Sequence, residues 1–210
     1  MNTTAWIRIE NANKKIKGKH VLSNINVMFE KGKIYGIIGD NGSGKTMMLR
    51  AIAKLLHLSS GRGIYAEENI TLGLIIENPG FLLDYSGLEN LMFLARIRNK
   101  IDKDCVKHNM RAVGLDPDDD RKVKSYSLGM KQKLAIAQAI MENPDMLVLD
   151  EPFRGLDSKS MSQIKELLIS YNQRGGTIFL SSHDYETICK IADKIYKMDN
   201  GVISELILDS

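Results

Sequence analysis

The sequence lacks any stretch that would place it inside a membrane. None of its apolar runs approaches the ~20 residues needed to span a bilayer, and residues 1–10 lack the apolar core of a secretory signal peptide. Internal repeats and low-complexity segments are also missing. We therefore expect a cytoplasmic protein whose 210 residues form one domain, large enough to bury a sizeable core and to accept an inserted lobe.

The sequence also has only two cysteines and a small net charge. Cys105 and Cys189 lie far apart, without a C-x-x-C spacing or a nearby histidine cluster, which favours ordinary thiols over a disulfide or metal ligands. The formal net charge of +3 is too small to indicate a partner. A basic run at 14–20 is typical of a solvated strand edge or turn, and we expect no nucleic-acid partner.

One glycine-rich stretch, at 39–46, carries the strongest functional signal. It matches the pattern G-x-x-x-x-G-K-[ST] between an apolar run at 34–38 and a helix-like run at 47–56. Glycines let the backbone curl until several N–H groups point at phosphate oxygens, whereas a chance match has odds on the order of one per cent. Polyphosphate is the expected ligand, with Lys45 at the β- and γ-phosphates and Thr46 on Mg²⁺. The residues expected to hold it are Gly39, Asn41, Gly42, Ser43, Gly44, Lys45 and Thr46.

Two later strand ends carry polar residues that suit phosphate chemistry. Asp150 follows an apolar run at 147–149 and is predicted to hold Mg²⁺, while Glu151 takes a proton from the water that attacks the γ-phosphate. Taken alone, the pair also fits an acidic turn, and the phosphate loop upstream favours catalysis. His183 ends another apolar strand at the same sheet edge and is predicted to donate a hydrogen bond to the γ-phosphate or to the attacking water.

Hydrophobic periodicity predicts an α/β fold. Strands are expected around 7–9 and at 21–29, which pair antiparallel, and at 34–38, 70–76, 146–149, 177–180, 194–199 and 202–208. Helices are expected after the phosphate loop, in a charged segment from 78 to about 124 that opens with the capping box Ser86-x-x-Glu89, at 127–141 and at 157–172. The glycine-rich stretch at 59–63 is predicted to break regular structure, and Asn200-Gly201 to turn a hairpin.

In this order the motifs resemble those of the ATP-binding cassette (ABC) ATPases, the motor subunits of ABC transporters. The resemblance covers nearly the whole chain and is carried by the phosphate loop and by the stretches at 126–132, 149–152, 155–157 and 182–183. It implies a P-loop NTPase core of mostly parallel sheet with helices on both faces, preceded by antiparallel N-terminal strands. Within one domain, the core would comprise 1–77 and 143–210, and a helical signature subdomain about 78–142.

The resemblance also implies how ATP is shared between subunits. Ser127 and Gly129 would form the signature motif, at the start of a helix whose N-terminus faces the γ-phosphate held by the other subunit. Asp157 is similar to the family residue that crosses the dimer interface, although by itself it predicts only a helix cap, and both roles are compatible. Two ATP molecules would be sandwiched between two chains, either identical or paralogous.

Three positions depart from the family pattern. The signature reads Tyr-Ser-Leu-Gly-Met at 126–130 instead of Leu-Ser-Gly-Gly-Gln, but it keeps the serine and the second glycine. Glu77 replaces the usual glutamine, and we expect its carboxylate either to reach Mg²⁺ or to face solvent at a loop start. Ile16 falls where many members stack an aromatic ring on adenine, so the base is expected to rest on an aliphatic surface.

The stretches at 75–81 and 86–91 resemble the branch that serves antibiotic, bacteriocin and lantibiotic export or self-immunity. We therefore expect the ATPase subunit of an exporter, held on the inner face of the cell membrane by a separate permease. A soluble ABC ATPase acting on DNA, ribosomes or iron-sulfur assembly is the alternative, but the sequence has neither a long coiled-coil insertion nor a second cassette. A P-loop kinase is a third reading, against which the signature serine counts.

Overall fold

The computed structural model describes residues 5–77 and 80–206, apart from the Arg98 side chain. The strands in these ranges are β1 (Ile7–Ile16), β2 (Lys19–Phe29), β3 (Ile34–Ile38), β4 (Ser60–Tyr65), β5 (Leu72–Ile75), β6 (Met146–Asp150), β7 (Thr177–Ser182), β8 (Lys194–Asp199) and β9 (Val202–Leu206). The α-helices are α1 (Lys45–Ile52), α2 (Gly87–Arg98), α3 (Lys103–Ala112), α4 (Leu128–Ile140), α5 (Ser158–Gln173) and α6 (Tyr185–Cys189).

A six-stranded sheet in the order β5-β6-β7-β3-β8-β9 lies at the centre of the molecule. All pairs in it are parallel except the last, the predicted β8–β9 hairpin. Its central strands β3 and β6 read as nearly continuous apolar runs because both of their faces are covered. In β6, Met146 and Val148 enter the core on one face and Leu147 and Leu149 the core on the other. The parallel order brings the carboxyl ends of β3, β6 and β7 to one edge.

A smaller antiparallel sheet in the order β2-β1-β4 covers one face of the central sheet. Phe29 of β2 packs edge-on against Tyr35 and Phe179, with ring centroids 4.9 and 4.8 Å away. The antiparallel pairing of β1 and β2 confirms the prediction. The break predicted at 59–63 is wrong from Ser60 onward, because these residues form β4 on the open edge of β1. Main-chain pairing outweighs the low strand propensity of its glycines.

The helices that follow β5 pack into the core on the opposite face of the central sheet. The predicted capping box opens α2, where Ser86 Oγ accepts from the Glu89 backbone N–H at 3.3 Å and the Glu89 carboxylate accepts from the Ser86 N–H at 2.7 Å. Asn78 and Pro79, where the lobe is predicted to begin, and 207–208 of the predicted last strand lie outside the described residues. The division into core and signature subdomain stays a prediction.

Two further properties of the described residues bear on the sequence predictions: the character of the helices and the state of the cysteines. In 5–77 and 80–206, none of the helices has the length and apolar character needed to cross a bilayer. Cys105 and Cys189 are both free thiols, as predicted. Burial raises the pKa of Cys105, whose Sγ lies 3.7 Å from the carbonyl oxygen of Met141.

Candidate functional site

Residues 39–44 form a tight loop between β3 and α1, and Lys45 and Thr46 are the first residues of α1. Gly39, Gly42 and Gly44 have φ angles of +150°, +83° and +110°, which residues with a side chain rarely adopt. A Cβ atom at Gly44 would lie 2.8 Å from the carbonyl oxygen of Val21, so this position also has no room for a side chain. The loop therefore has the curled backbone that its sequence predicts, with the N-terminus of α1 behind it.

Two buried polar groups at this loop have only neutral hydrogen-bond partners or none within the described residues. Lys45 is only 6% exposed, and its ammonium donates to the carbonyl oxygens of Gly39 at 2.7 Å and Asp40 at 3.1 Å. Ser43 Oγ is buried without a hydrogen-bond partner in the described structure, which costs about 1–3 kcal/mol for such a group. Phosphate oxygens would satisfy both the hydroxyl and the ammonium, so the loop fits a nucleotide polyphosphate.

The predicted Mg²⁺ ligands Thr46 and Asp150 are in direct contact. Thr46 Oγ1 donates to Asp150 Oδ2 at 2.6 Å, and Ser181 Oγ donates to the other carboxylate oxygen. These hard oxygen donors beside a phosphate loop suit Mg²⁺, which typically takes one or two protein ligands together with phosphates and water. Among the described residues, no group of three or more His, Cys, Asp or Glu forms an all-protein metal site.

Glu151 and His183 meet at the carboxyl edge of the sheet. His183 Nδ1 lies 3.1 and 3.2 Å from the two carboxylate oxygens of Glu151, as expected for residues that follow neighbouring parallel strands. Glu151 has a left-handed backbone with φ +49°, a conformation that costs roughly 1–2 kcal/mol in a residue with a Cβ atom. Its N–H donates to Ser181 Oγ at 3.1 Å, which helps to hold that conformation.

A cavity of about 340 Å³ joins these elements. The phosphate loop, Asp150 and Glu151 line one part of it, and Ile16, Val21 and Met47 give it an aliphatic wall. Ile16 is 42% exposed, so it is available to a flat ligand. The structure thus brings Ile16 from the end of β1 to the phosphate loop, where the sequence predicts adenine to rest on an aliphatic surface.

Glu77, the third predicted metal ligand, contacts a cation instead. Its Oε1 accepts from Arg50 of α1 at 2.6 Å, and its own backbone is left-handed with φ +65°. The Glu77 side chain is 64% exposed, so the ion pair lies at the surface. Glu77 does not line the cavity that holds Thr46 and Asp150, within the part of the chain that is described. The structure therefore does not bring it to the other two predicted ligands.

The residues predicted for the partner's nucleotide lie at two exposed helix starts. Ser127 caps α4 by accepting from the Met130 N–H at 3.2 Å, and a Cβ atom at Gly129 would lie 2.7 Å from the carbonyl oxygen of Gly155. Asp157 caps α5 by accepting from the Ser160 N–H at 2.7 Å. This backbone hydrogen bond holds the pKa of Asp157 below its ordinary value. The cap predicted for Asp157 is confirmed.

Sequence reasoning missed three residues that contact predicted ones. Ser181 contacts Asp150 and Glu151, Arg50 contacts Glu77, and Gln132 of α4 donates to backbone carbonyls beside Glu151. For Ser181 the available signal was a hydroxyl at the end of a buried strand, because buried hydroxyls need a hydrogen-bond partner. For Arg50 and Gln132 the sequence alone offers no comparable signal, since both contacts depend on how distant elements pack.

Comparison with known proteins identifies relatives of this chain. The family described as ABC transporter matches residues 22–154, which include the phosphate loop and the acidic pair. The uncharacterized ABC transporter ATP-binding protein YybJ of Bacillus subtilis (strain 168) is 41% identical, over 93% of this chain and 93% of its own. The bacitracin transport ATP-binding protein BcrA of Enterococcus faecalis is 40% identical, over 95% of this chain and 68% of its own.

The fold has counterparts among solved structures. The dimeric structure of MJ0796, described as a bacterial ABC transporter cassette, matches with a TM-score of 0.87 at 23% identity and covers 97% of this chain and 99% of that one. This likeness confirms the predicted α/β P-loop fold with its antiparallel strands. With the family match spanning most of the sequence and a relative 41% identical over nearly its whole length, the chain belongs to the ABC transporter family, as an ATP-binding subunit with ATPase activity.

Proposed function

We propose that this subunit binds MgATP at the 39–46 loop and hydrolyses it with Glu151 as general base, to drive transport by a separate membrane subunit. The observation that supports this most is the contact of Thr46 with Asp150, directly beside a loop with a buried lysine and a buried serine that has no hydrogen-bond partner among the described residues. Such a set of hydroxyl, carboxylate and ammonium groups suits a metal-bound triphosphate.

Each residue of the site has a separate role in this proposal. The loop N–H groups, Ser43 and Lys45 hold the β- and γ-phosphates, while Thr46 and Asp150 would hold Mg²⁺. When bound, Mg²⁺ neutralises charge on the phosphate oxygens. Glu151 accepts the proton of the water whose oxygen bonds to the γ-phosphorus, as the bond to the leaving ADP oxygen breaks.

His183 would assist this step through its remaining ring nitrogen. Its Nδ1 faces the Glu151 carboxylate, which leaves Nε2 for the γ-phosphate or the attacking water. Val21 and Met47, with Ile16, would cover the adenine by apolar contact. Ile16 would give the base less stacking energy than an aromatic ring, which contributes about 1–3 kcal/mol per base.

We further propose that the working unit is a dimer, of this chain with itself or with a paralogue. Ser127 and Gly129 start α4, and Asp157 starts α5, all at the surface rather than in the cavity beside the phosphate loop of their own chain. The N-terminus of α4 is suited to a phosphate that another subunit presents. A dimeric cassette of the same fold, MJ0796, supports this arrangement.

The names of the relatives support a proposal for the partner and the cargo. BcrA is named for bacitracin transport, so we propose that this chain serves export of, or immunity to, an antibiotic or bacteriocin-like compound or another hydrophobic substrate. Its place would be the inner face of the cell membrane, held there by a permease on another chain. A soluble ABC ATPase without a transporter is the alternative.

Purification from the native host tests this proposal. We expect the tagged chain, extracted in mild detergent, to copurify with a membrane protein of several spans, and its ATP turnover to depend on that protein. The Lys45→Ala chain serves as a control for nucleotide-dependent association. Recovery in a ribosomal or DNA-bound fraction, without any membrane protein, would instead favour the soluble alternative.

For Glu77 we expect Mg²⁺ to strengthen ATP binding more steeply in the native protein than in Glu77→Gln. Its pair with Arg50 is exposed, and such pairs contribute only about 0.2–1 kcal/mol, so the metal can compete for the carboxylate. Without metal, the same charge repels the triphosphate. ATP affinity titrated against Mg²⁺ measures this, with Glu68→Gln as the control. If ATP affinity rises equally with Mg²⁺ in the native protein and in Glu77→Gln, Glu77 does not reach the metal and its only role is the ion pair with Arg50.

A further inference from the structure

Gln132 connects helix α4 to the loop that carries the proposed base. Its side-chain Nε2 donates to the carbonyl oxygen of Pro152 at 3.0 Å and lies 3.4 Å from the carbonyl oxygen of Glu151. Gln132 is half-buried, and the residues that follow it in α4 are part of the apolar core. One side chain thus ties two successive peptide groups of the 151–157 loop to a rigid helix.

These two peptide groups decide where the Glu151 carboxylate points. Glu151 has a left-handed backbone, which surrounding contacts must maintain. Ser181 Oγ accepts from its N–H at 3.1 Å, and Arg154 N–H donates to its carbonyl oxygen at 3.2 Å. Ser181 reaches this turn from β7, whereas Gln132 reaches it from helix α4 and also donates to the next carbonyl oxygen, that of Pro152.

We propose that Gln132 is a positioning residue for Glu151. By donating to both carbonyls it holds the turn at Glu151 and keeps the carboxylate beside His183, where it is ready to accept a proton. The inference rests on the proposed role of Glu151 as general base. It concerns the hydrolysis step and not ATP binding, because Gln132 does not line the cavity beside the phosphate loop in the described structure.

The same contact gives α4 a route to the base of its own chain. Ser127 and Gly129 lie at the start of α4, and Gly129 packs closely against Gly155 in the same 151–157 loop. In the proposed dimer, the phosphate of ATP bound by the partner subunit would contact the N-terminus of α4. A shift of α4 would then reach Glu151 through Gln132, and the two ATP sites would act on each other.

Three substitutions at Gln132 test the proposal. Gln132→Leu removes the donor at similar volume, Gln132→Glu places an acceptor against the two carbonyls, and Gln132→Lys restores a donor of similar reach. We expect kcat for ATP hydrolysis to fall about 10- to 100-fold in the first two, since small misplacements of catalytic groups cost this much. ATP affinity should change less than about twofold, and Gln132→Lys should recover a large part of the lost kcat.

Gln138→Leu is the matched control, because it makes the same change later in α4, at a half-buried glutamine that lines a cleft beside β5. Its kcat should stay within about twofold of the native value. Native kcat in Gln132→Leu, or equal losses of kcat and ATP affinity in all three variants, would overturn the proposal. If the native protein did not hydrolyse ATP, the proposed function itself would be wrong. Failure of the proposed function is therefore distinguishable from failure of the Gln132 proposal, in which the native protein hydrolyses ATP and the variants do so equally well.

Discussion

Replacing Lys45 by Ala is expected to weaken MgATP binding by at least about 100-fold. Lys45 supplies a buried ammonium at the loop, and its present partners are neutral backbone carbonyls. Bound phosphates would give the ammonium negatively charged acceptors in place of these neutral ones, and loss of two hydrogen bonds between charged groups costs about 3–6 kcal/mol. Each 1.4 kcal/mol is a factor of ten in affinity. Calorimetric titration with MgATP measures the change.

Lys103→Ala is the control for this experiment, because Lys103 is an exposed lysine at the start of α3. It should bind MgATP like the native protein. The melting temperature of Lys45→Ala should stay close to the native one without nucleotide, since its lost partners are two backbone carbonyls. Unchanged MgATP affinity in Lys45→Ala, with the fold intact, would contradict phosphate binding by this loop.

The elements that the sequence predicted well are those whose signals are local. The capping box of α2, the cap of α5 at Asp157 and the hairpin at Asn200-Gly201 depend on residues a few positions apart. The sequence also predicted His183 at the same sheet edge as the phosphate loop and Asp150, because the carboxyl ends of parallel strands meet at one edge. The contact of His183 with Glu151 was not predicted.

What the sequence missed depends on pairing over long distances. Strand β4 exists because β1 offers it an open edge some fifty residues away, and its own glycines argue against a strand. Arg50 approaches Glu77 only once α1 has packed on the sheet that contains β5. The prediction that Glu77 joins Thr46 and Asp150 was based on its position after β5. It did not take into account the Arg50 side chain on α1, which binds the Glu77 carboxylate. Side-chain partners of this kind follow from the fold and not from spacing.

Glu151→Gln is expected to bind MgATP normally and yet lower its turnover about 10²- to 10⁴-fold. The amide keeps the size of the carboxylate and leaves Thr46 and Asp150 in contact, but it cannot accept the proton of the attacking water. It also removes the charge that faces His183 Nδ1. Single-turnover and steady-state assays would separate the lost hydrolysis step from retained binding.

The same substitution should trap the proposed dimer, because ATP that is bound but not hydrolysed keeps the two chains joined. Gel filtration with MgATP should therefore show Glu151→Gln mainly as a dimer, while the native protein returns to monomer as ATP is consumed. Glu166→Gln, at an exposed glutamate of α5, is the control and should behave like the native protein in both assays. A Glu151→Gln protein that binds MgATP but stays monomeric would argue against the sandwich. Full turnover in that variant would instead remove Glu151 as the base, and with it the positioning role of Gln132.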